Sequence, residues 1–119
     1  MKLEDCPVHA TMKFIGGKWK PIILNYLKEG KKRSAELARY IPEASGKVLT
    51  AQLRELERDG IIRRKIFPTV PAKVEYSLTD LGKSLRPVLK ALADWGRAHP
   101  RERNGGRQTS AALNGPNAR

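Results

Sequence analysis

Cysteine is nearly absent from this 119-residue chain: Cys6 stands alone, so no disulfide can close within one copy, and such usage suits a reducing compartment. Long apolar runs are missing too, which excludes a membrane-spanning helix. Glu4 and Asp5 stand where a secretion signal would be basic and then apolar. A cytoplasmic protein with no membrane partner is expected. Histidine is limited to His9 and His99, too far apart and too poorly accompanied by cysteines or carboxylates to suggest a metal site. Gly17-Lys18 lacks the rest of a phosphate-binding loop, which would need glycine at Met12 and serine or threonine at Trp19. Neither an enzyme nor a cofactor-binding protein is expected.

Acidic residues are scarce against basic ones, 12 to 24, leaving a formal charge of +12. The stretch 99–119 contributes only +3 of this, so the excess belongs to residues 1–98. Lys13 to Tyr40 carries eight basic and two acidic residues, and Ser45 to Lys73 carries seven and three. A polyanion is the natural partner. The length gives room for one domain with a modest core.

The chain is organised around Ser45 to Thr79. A basic helix over Ser45–Asp59 is predicted to run through a turn at Gly60 into a two-stranded ribbon, Ile61–Leu78. On a helical wheel Leu49, Leu53 and Leu56 share one face, while Lys47, Ala51, Arg54 and Arg58 lie opposite. Ser45 is the expected N-cap, leaving free amides and the positive dipole end beside Gly46 and Lys47, where a phosphate is favoured. In the ribbon, Ile62, Arg64 and Ile66 alternate with Arg63, Lys65 and Phe67; after Pro68–Ala72, Val74, Tyr76 and Leu78 alternate with Glu75 and Ser77.

The remaining segments position this pair. Cys6-Pro7 opens a short helix that stops at Gly16-Gly17. Lys18 to Lys28 forms a core helix with Trp19, Ile22, Ile23, Tyr26 and Leu27 on its stripe, ended by Gly30. Ser34 is the expected N-cap of a third helix that buries Leu37 and Ile41 and ends at Pro42. Two short helices joined across Pro42–Ala44 make a helix-turn-helix, and the ribbon after it makes a winged helix. The fold class is thus mainly α with a small β-hairpin. Thr79 caps a last helix whose Leu81, Leu85, Val88, Leu92 and Trp95 step by 4, 3, 4 and 3 residues, a heptad seam kinked at Pro87. We expect this seam to join two copies. Residues 1–98 are expected to be the domain, and 99–119 a disordered basic tail.

At this point Cys6-Pro7, Gly16-Gly17-Lys18-Trp19, Glu36-Leu37, Ile41-Pro42, Leu49-Thr50, Leu53–Glu57, Asp59-Gly60, Pro71, Val74–Thr79, Leu81-Gly82 and Trp95 together closely resemble the HxlR-type bacterial transcription regulators, a winged-helix group related to MarR. The resemblance covers nearly all of residues 6–96. It implies a homodimer, joined by its N- and C-terminal helices, that binds an inverted-repeat operator in double-stranded DNA through paired recognition helices and wings. The expected DNA contacts are Ser45, Gly46, Lys47, Thr50, Ala51, Arg54 and Arg58 on the helix, and Arg63, Arg64, Lys65 and Lys73 on the wing. Two positions depart from the family habit. Ser34 replaces a usual aromatic and Ala44 a larger aliphatic, and both are expected to trim the core.

Cys6 is the remaining reactive group. A helix N-cap favours its thiolate, while Glu4 and Asp5 oppose it. Some members of the resembling family sense oxidants or electrophiles through a cysteine here, and others carry it without a redox role. An oxidant or small-molecule effector is therefore open, and any disulfide must be intermolecular. The competing reading of the whole chain is a basic RNA-associated or scaffolding module without sequence-specific DNA binding. Location at the nucleoid follows from the first reading and not from the second.

Overall fold

The computed structural model describes residues 1–100, so the expected tail lies outside the described residues except for its first two positions. After a 3-10 turn at Leu3–Asp5 come α1 (Pro7–Ile15), α2 (Trp19–Leu27), β1 (Lys32–Arg33), α3 (Ser34–Tyr40), α4 (Gly46–Arg58), β2 (Ile62–Phe67), β3 (Lys73–Leu78), α5 (Asp80–Lys83) and α6 (Arg86–Ala98). Residues 1–86 form one compact unit, and the described residues 87–100 belong to a second. No described helix is long and apolar enough to cross a membrane.

In the first unit, α2 packs on α3, α4 and β3, and α4 packs on β2. The core follows from the apolar spacing: Ile23, Leu24 and Leu27 from α2, Leu37 and Ile41 around α3, Leu49, Leu53 and Leu56 from α4, then Ile61, Ile62 and Leu78, all at most 5% exposed. Helix α4 ends in a Schellman arrangement. Gly60 adopts a left-handed φ of 77°, Ile61 N–H donates to Leu56 O at 2.9 Å, and Gly60 N–H to Glu57 O at 3.0 Å. That geometry turns the chain straight from the helix into the ribbon, with Leu56 and Ile61 both buried at the corner.

The sheet has three strands, in the order β1-β3-β2, where two were expected. β2 and β3 are antiparallel, from Ile62 opposite Leu78 to Phe67 opposite Lys73. The extra strand is two residues long, with Lys32 opposite Tyr76 and Arg33 opposite Glu75. It displaces the expected cap. Arg33, not Ser34, occupies the N-cap position of α3, and its amide donates to the Glu36 carboxylate at 2.8 Å. Ser34 is exposed, so its small side chain removes nothing from the core, whereas Ala44 is buried as expected. Helix α2 also differs: Trp19, Ile22 and Tyr26 are only half-buried, and its inner face is completed by Leu24 and by Lys20.

The last helix is not one kinked rod. It breaks at Ser84-Leu85 into α5 and α6. Pro87 has no N–H to donate to Lys83 O, so the ladder cannot continue across it, and the proline sits instead in the first turn of a new helix. At the end of α5, Ser84 Oγ–H donates to Leu81 O and Leu85 N–H to Gly82 O. Leu89, off the expected seam, is the side chain that α6 buries.

Candidate nucleic-acid interface

Helix α4 is capped by Ser45, whose Oγ accepts the Val48 N–H at 3.1 Å. Gly46 and Lys47 follow with their amides unclaimed in the first turn, a location that favours an anion. Leu49, Leu53 and Leu56 are 5%, 4% and 0% exposed, while Ser45, Gly46, Lys47, Thr50, Ala51, Arg54 and Arg58 are all exposed. Lys47, Ala51, Arg54 and Arg58 therefore share the side opposite the leucines, Thr50 flanks it, and Ser45 and Gly46 are exposed at the leading end of the helix. Among the described residues Arg58 pairs with Asp59 at 3.5 Å, whereas Lys47 and Arg54 have no acidic partner within 4 Å.

The wing does not present its cations as one cluster. Alternation puts Arg64 on the face of Ile62 and Ile66, opposite Tyr76, where Arg64 Nε lies 3.4 Å from Glu57 of α4. Arg63 and Lys65 point to the other face with Phe67, Lys73, Glu75 and Ser77. This division follows the alternation expected from the sequence. Tyr76, half-buried on the side of the ribbon where Arg64 meets α4, has its phenol pushed above the usual range by burial. Arg64 and Arg54 draw it back, and Glu57 reinforces the rise. At the tip, Val70-Pro71 is a cis peptide, and Thr69 Oγ1 donates to Pro71 O at 2.8 Å.

Two contributors to this surface were not foreseen. Lys20 reaches through the core to Glu55 on the flank of α4, Nζ to Oε1 2.6 Å, tying the helix to α2. Its charge reads as surface in the sequence, and only its spacing from Ile23, Leu24 and Leu27, the other buried residues of α2, hints otherwise. Arg33 is carried to the wing by β1, and a dipeptide strand leaves no alternation to detect.

Of the proposed seam, Leu81, Val88, Leu92 and Trp95 are 51%, 38%, 52% and 61% exposed, and Leu85 is half-buried. Val8 and Met12 of α1 are exposed as well. Cys6 is half-buried at the N-cap position of α1, its carbonyl accepting the Ala10 N–H at 3.1 Å and its thiol making no capping bond. Among the described residues no group of three or more His, Cys, Asp or Glu is gathered for a metal ion.

Comparison with known proteins agrees with this architecture. The HxlR-like helix-turn-helix family matches residues 14–104. The helix-turn-helix-type transcriptional regulator YdeP of Bacillus subtilis (strain 168) is 51% identical over 96 residues, 81% of this chain and 75% of that protein. Among solved structures, the redox regulator HypR in its oxidized form is 47% identical with a TM-score of 0.75, covering 78% of this chain and 96% of that one. A chain assigned to the MarR family from Porphyromonas gingivalis W83 is 38% identical with a TM-score of 0.77, covering 82% and 95%. On the winged-helix geometry and these likenesses together, the chain belongs to the HxlR-like helix-turn-helix family, transcriptional regulators of MarR-like fold.

Proposed function

We propose that the protein is a homodimeric, sequence-specific DNA-binding regulator acting on an inverted-repeat operator at the nucleoid. The observation that carries this is helix α4, fixed by three buried leucines on one side and offering Lys47, Thr50, Ala51, Arg54 and Arg58 on the other. Lys47 and Arg54 are the strongest candidates to read base edges, because no carboxylate holds them back. The wing, through Arg63, Lys65 and Lys73, supplies phosphate or minor-groove contacts that position the helix without reading sequence. Footprinting on the DNA flanking the gene, with a long competitor present, tests the reading. Protection of two half-sites about one helical turn apart supports it. Absence of any preferred sequence favours the RNA-associated or scaffolding alternative. Arg54→Ala and Lys47→Ala are expected to leave the melting temperature unchanged and to cost roughly 1–3 kcal/mol at single operator positions. Unchanged isotherms for both variants would remove the assignment of α4 as recognition helix.

A second role rests on HypR, a redox regulator 47% identical to this chain. We infer that Cys6 is the oxidant-responsive group, forming a disulfide with Cys6 of a second copy or with a low-molecular-weight thiol. Diamide treatment should shift the mass or the non-reducing mobility of the parent and not of Cys6→Ser. An operator affinity that does not change when that shift is complete rejects sensing.

A further inference from the structure

On the face of the ribbon that carries Arg63, strand β1 closes a cleft of about 180 Å³ lined by Arg33, Phe67, Thr69, Lys73 and Glu75. Register explains why these residues meet. Arg33 lies directly opposite Glu75 on β3, Lys65 opposite Glu75 on the other side, and Phe67 opposite Lys73 at the last rung before the tip. Lys65 Nζ adds a third cation, 4.9 Å from the Phe67 ring centroid. Arg33, Lys65 and Lys73 are exposed, and none has a carboxylate within 4 Å among the described residues, although Glu75 sits between two of them. The cleft thus holds an aromatic ring with Lys65 over it, Arg33 and Lys73 without ion pairs among the described residues, and the Glu75 carboxylate in its wall.

We propose that this cleft seats one sugar–phosphate unit of duplex DNA, the phosphate between Arg33 and Lys73 and the deoxyribose against Phe67. The assignment rests on the regulator reading above and deepens it by adding Arg33, a residue outside α4 and outside the expected wing contacts, to Lys73, which is among them. The partner chemistry follows from the lining. Two cations converging on a cleft of this size suit a single phosphate, and Phe67 gives the adjoining sugar an apolar surface that a free anion would not use. Because the cleft adjoins the tip, it moves with the tip toward the backbone beside whichever groove the wing enters. Glu75 works against the phosphate. It holds Arg33 and Lys65 near the cleft through their fields and weakens the grip on DNA of any sequence, which favours release from non-specific sites.

A random-sequence duplex is a sufficient probe, since a phosphate contact is sequence-independent. In salt titrations of the full-length protein, Arg33→Gln should reduce the slope of log K against log salt by about 0.9, while Arg33→Lys preserves it. Glu75→Gln should tighten binding about fivefold near 0.1 M salt, and the gain should fade as salt rises. Arg33 is exposed and the hydrogen bond from its backbone N–H to the Glu36 carboxylate is independent of its side chain, so the fold is not at stake in the first variant. A parent that binds no duplex overturns the regulator reading and this site together. A parent that binds, with Arg33→Gln and Glu75→Gln matching it in slope and affinity, overturns this site alone. Inorganic phosphate bound in an Arg33-dependent way while the duplex isotherms stay unchanged would likewise overturn it, assigning the cleft to a free anion.

Discussion

Lys20 is a charged side chain only 10% exposed, and its ammonium has one carboxylate within reach, Glu55 at 2.6 Å. The two partners are not equivalent, because Glu55 retains 39% exposure and can return to water if the pair is broken, whereas Lys20 cannot. Removing the carboxylate should therefore cost more than removing the ammonium. We predict that Glu55→Leu lowers the melting temperature more than Lys20→Met does, and that both variants shift the operator-binding isotherm through the tilt of α4. The pair also carries a pH signature. The hydrogen bond from Lys20, with its charge, holds the Glu55 carboxyl below its ordinary value of 4.5. Its stabilising contribution is complete above that ordinary value and is lost as pH falls through the lowered folded-state value. Melting curves should show a larger acid-dependent loss in the parent than in Lys20→Met, which keeps only that of groups such as Asp94; equal pH dependence in both would show that the contact does not form in solution.

Among the elements, the junction of α4, ribbon and α5 depends on two residues. Thr79 Oγ1 lies 2.6 Å from Gly60 O and 3.0 Å from Ile61 O, either of which can take its proton, and it accepts the Gly82 N–H at 3.1 Å. One hydroxyl thus caps α5 and staples it to the turn that ends α4. Gly82 permits the close approach, since a Cβ there would stand 2.2 Å from Ile61 O, a backbone atom that cannot swing aside. Gly82→Ala is expected to cost about 1–3 kcal/mol by overpacking and to disturb the wing with it; chemical denaturation measures the first, and duplex affinity the second. An unaltered midpoint would mean that α5 shifts freely. Much of this was legible in the residue pattern. The leucines of α4 at i, i+4 and i+7 sit on a strongly amphipathic helix, Thr79 announces a helix start, and the alternation of β3 is unbroken. What escaped had no local signature. β1 is a basic dipeptide whose pairing is decided by a strand more than forty residues away, Lys20 is a cation made internal by a partner on another helix, and the ion pair of Arg64 with Glu57 joins two elements.

For the molecule as a whole, net charge was readable by counting, and assembly was readable as a stripe whose continuity the sequence overstated. Pro87 interrupts the helix, so Val88, Leu92 and Trp95 on α6 and Leu81 on α5 belong to different rods. They remain exposed nonetheless, with Val8 and Met12 of α1 exposed too, an amount of apolar surface that soluble monomers seldom leave to water. A second copy is the occupant we propose. A two-fold pair would face its recognition helices to successive major grooves roughly 34–36 Å apart, so dimerisation and operator symmetry stand or fall together. Leu92→Glu separates assembly from folding. Leu92 is already 52% exposed within one chain, so a carboxylate there finds water in the monomer and desolvation only in the dimer. Leu89→Glu, at a position 2% exposed, should instead destabilise the protomer itself and serves as the contrast. Sedimentation is expected to show a parent dimer at micromolar concentration and a folded Leu92→Glu monomer whose operator affinity falls to the non-specific level. A monomeric parent, or a Leu92→Glu dimer with full affinity, would mean that recognition does not depend on this pairing.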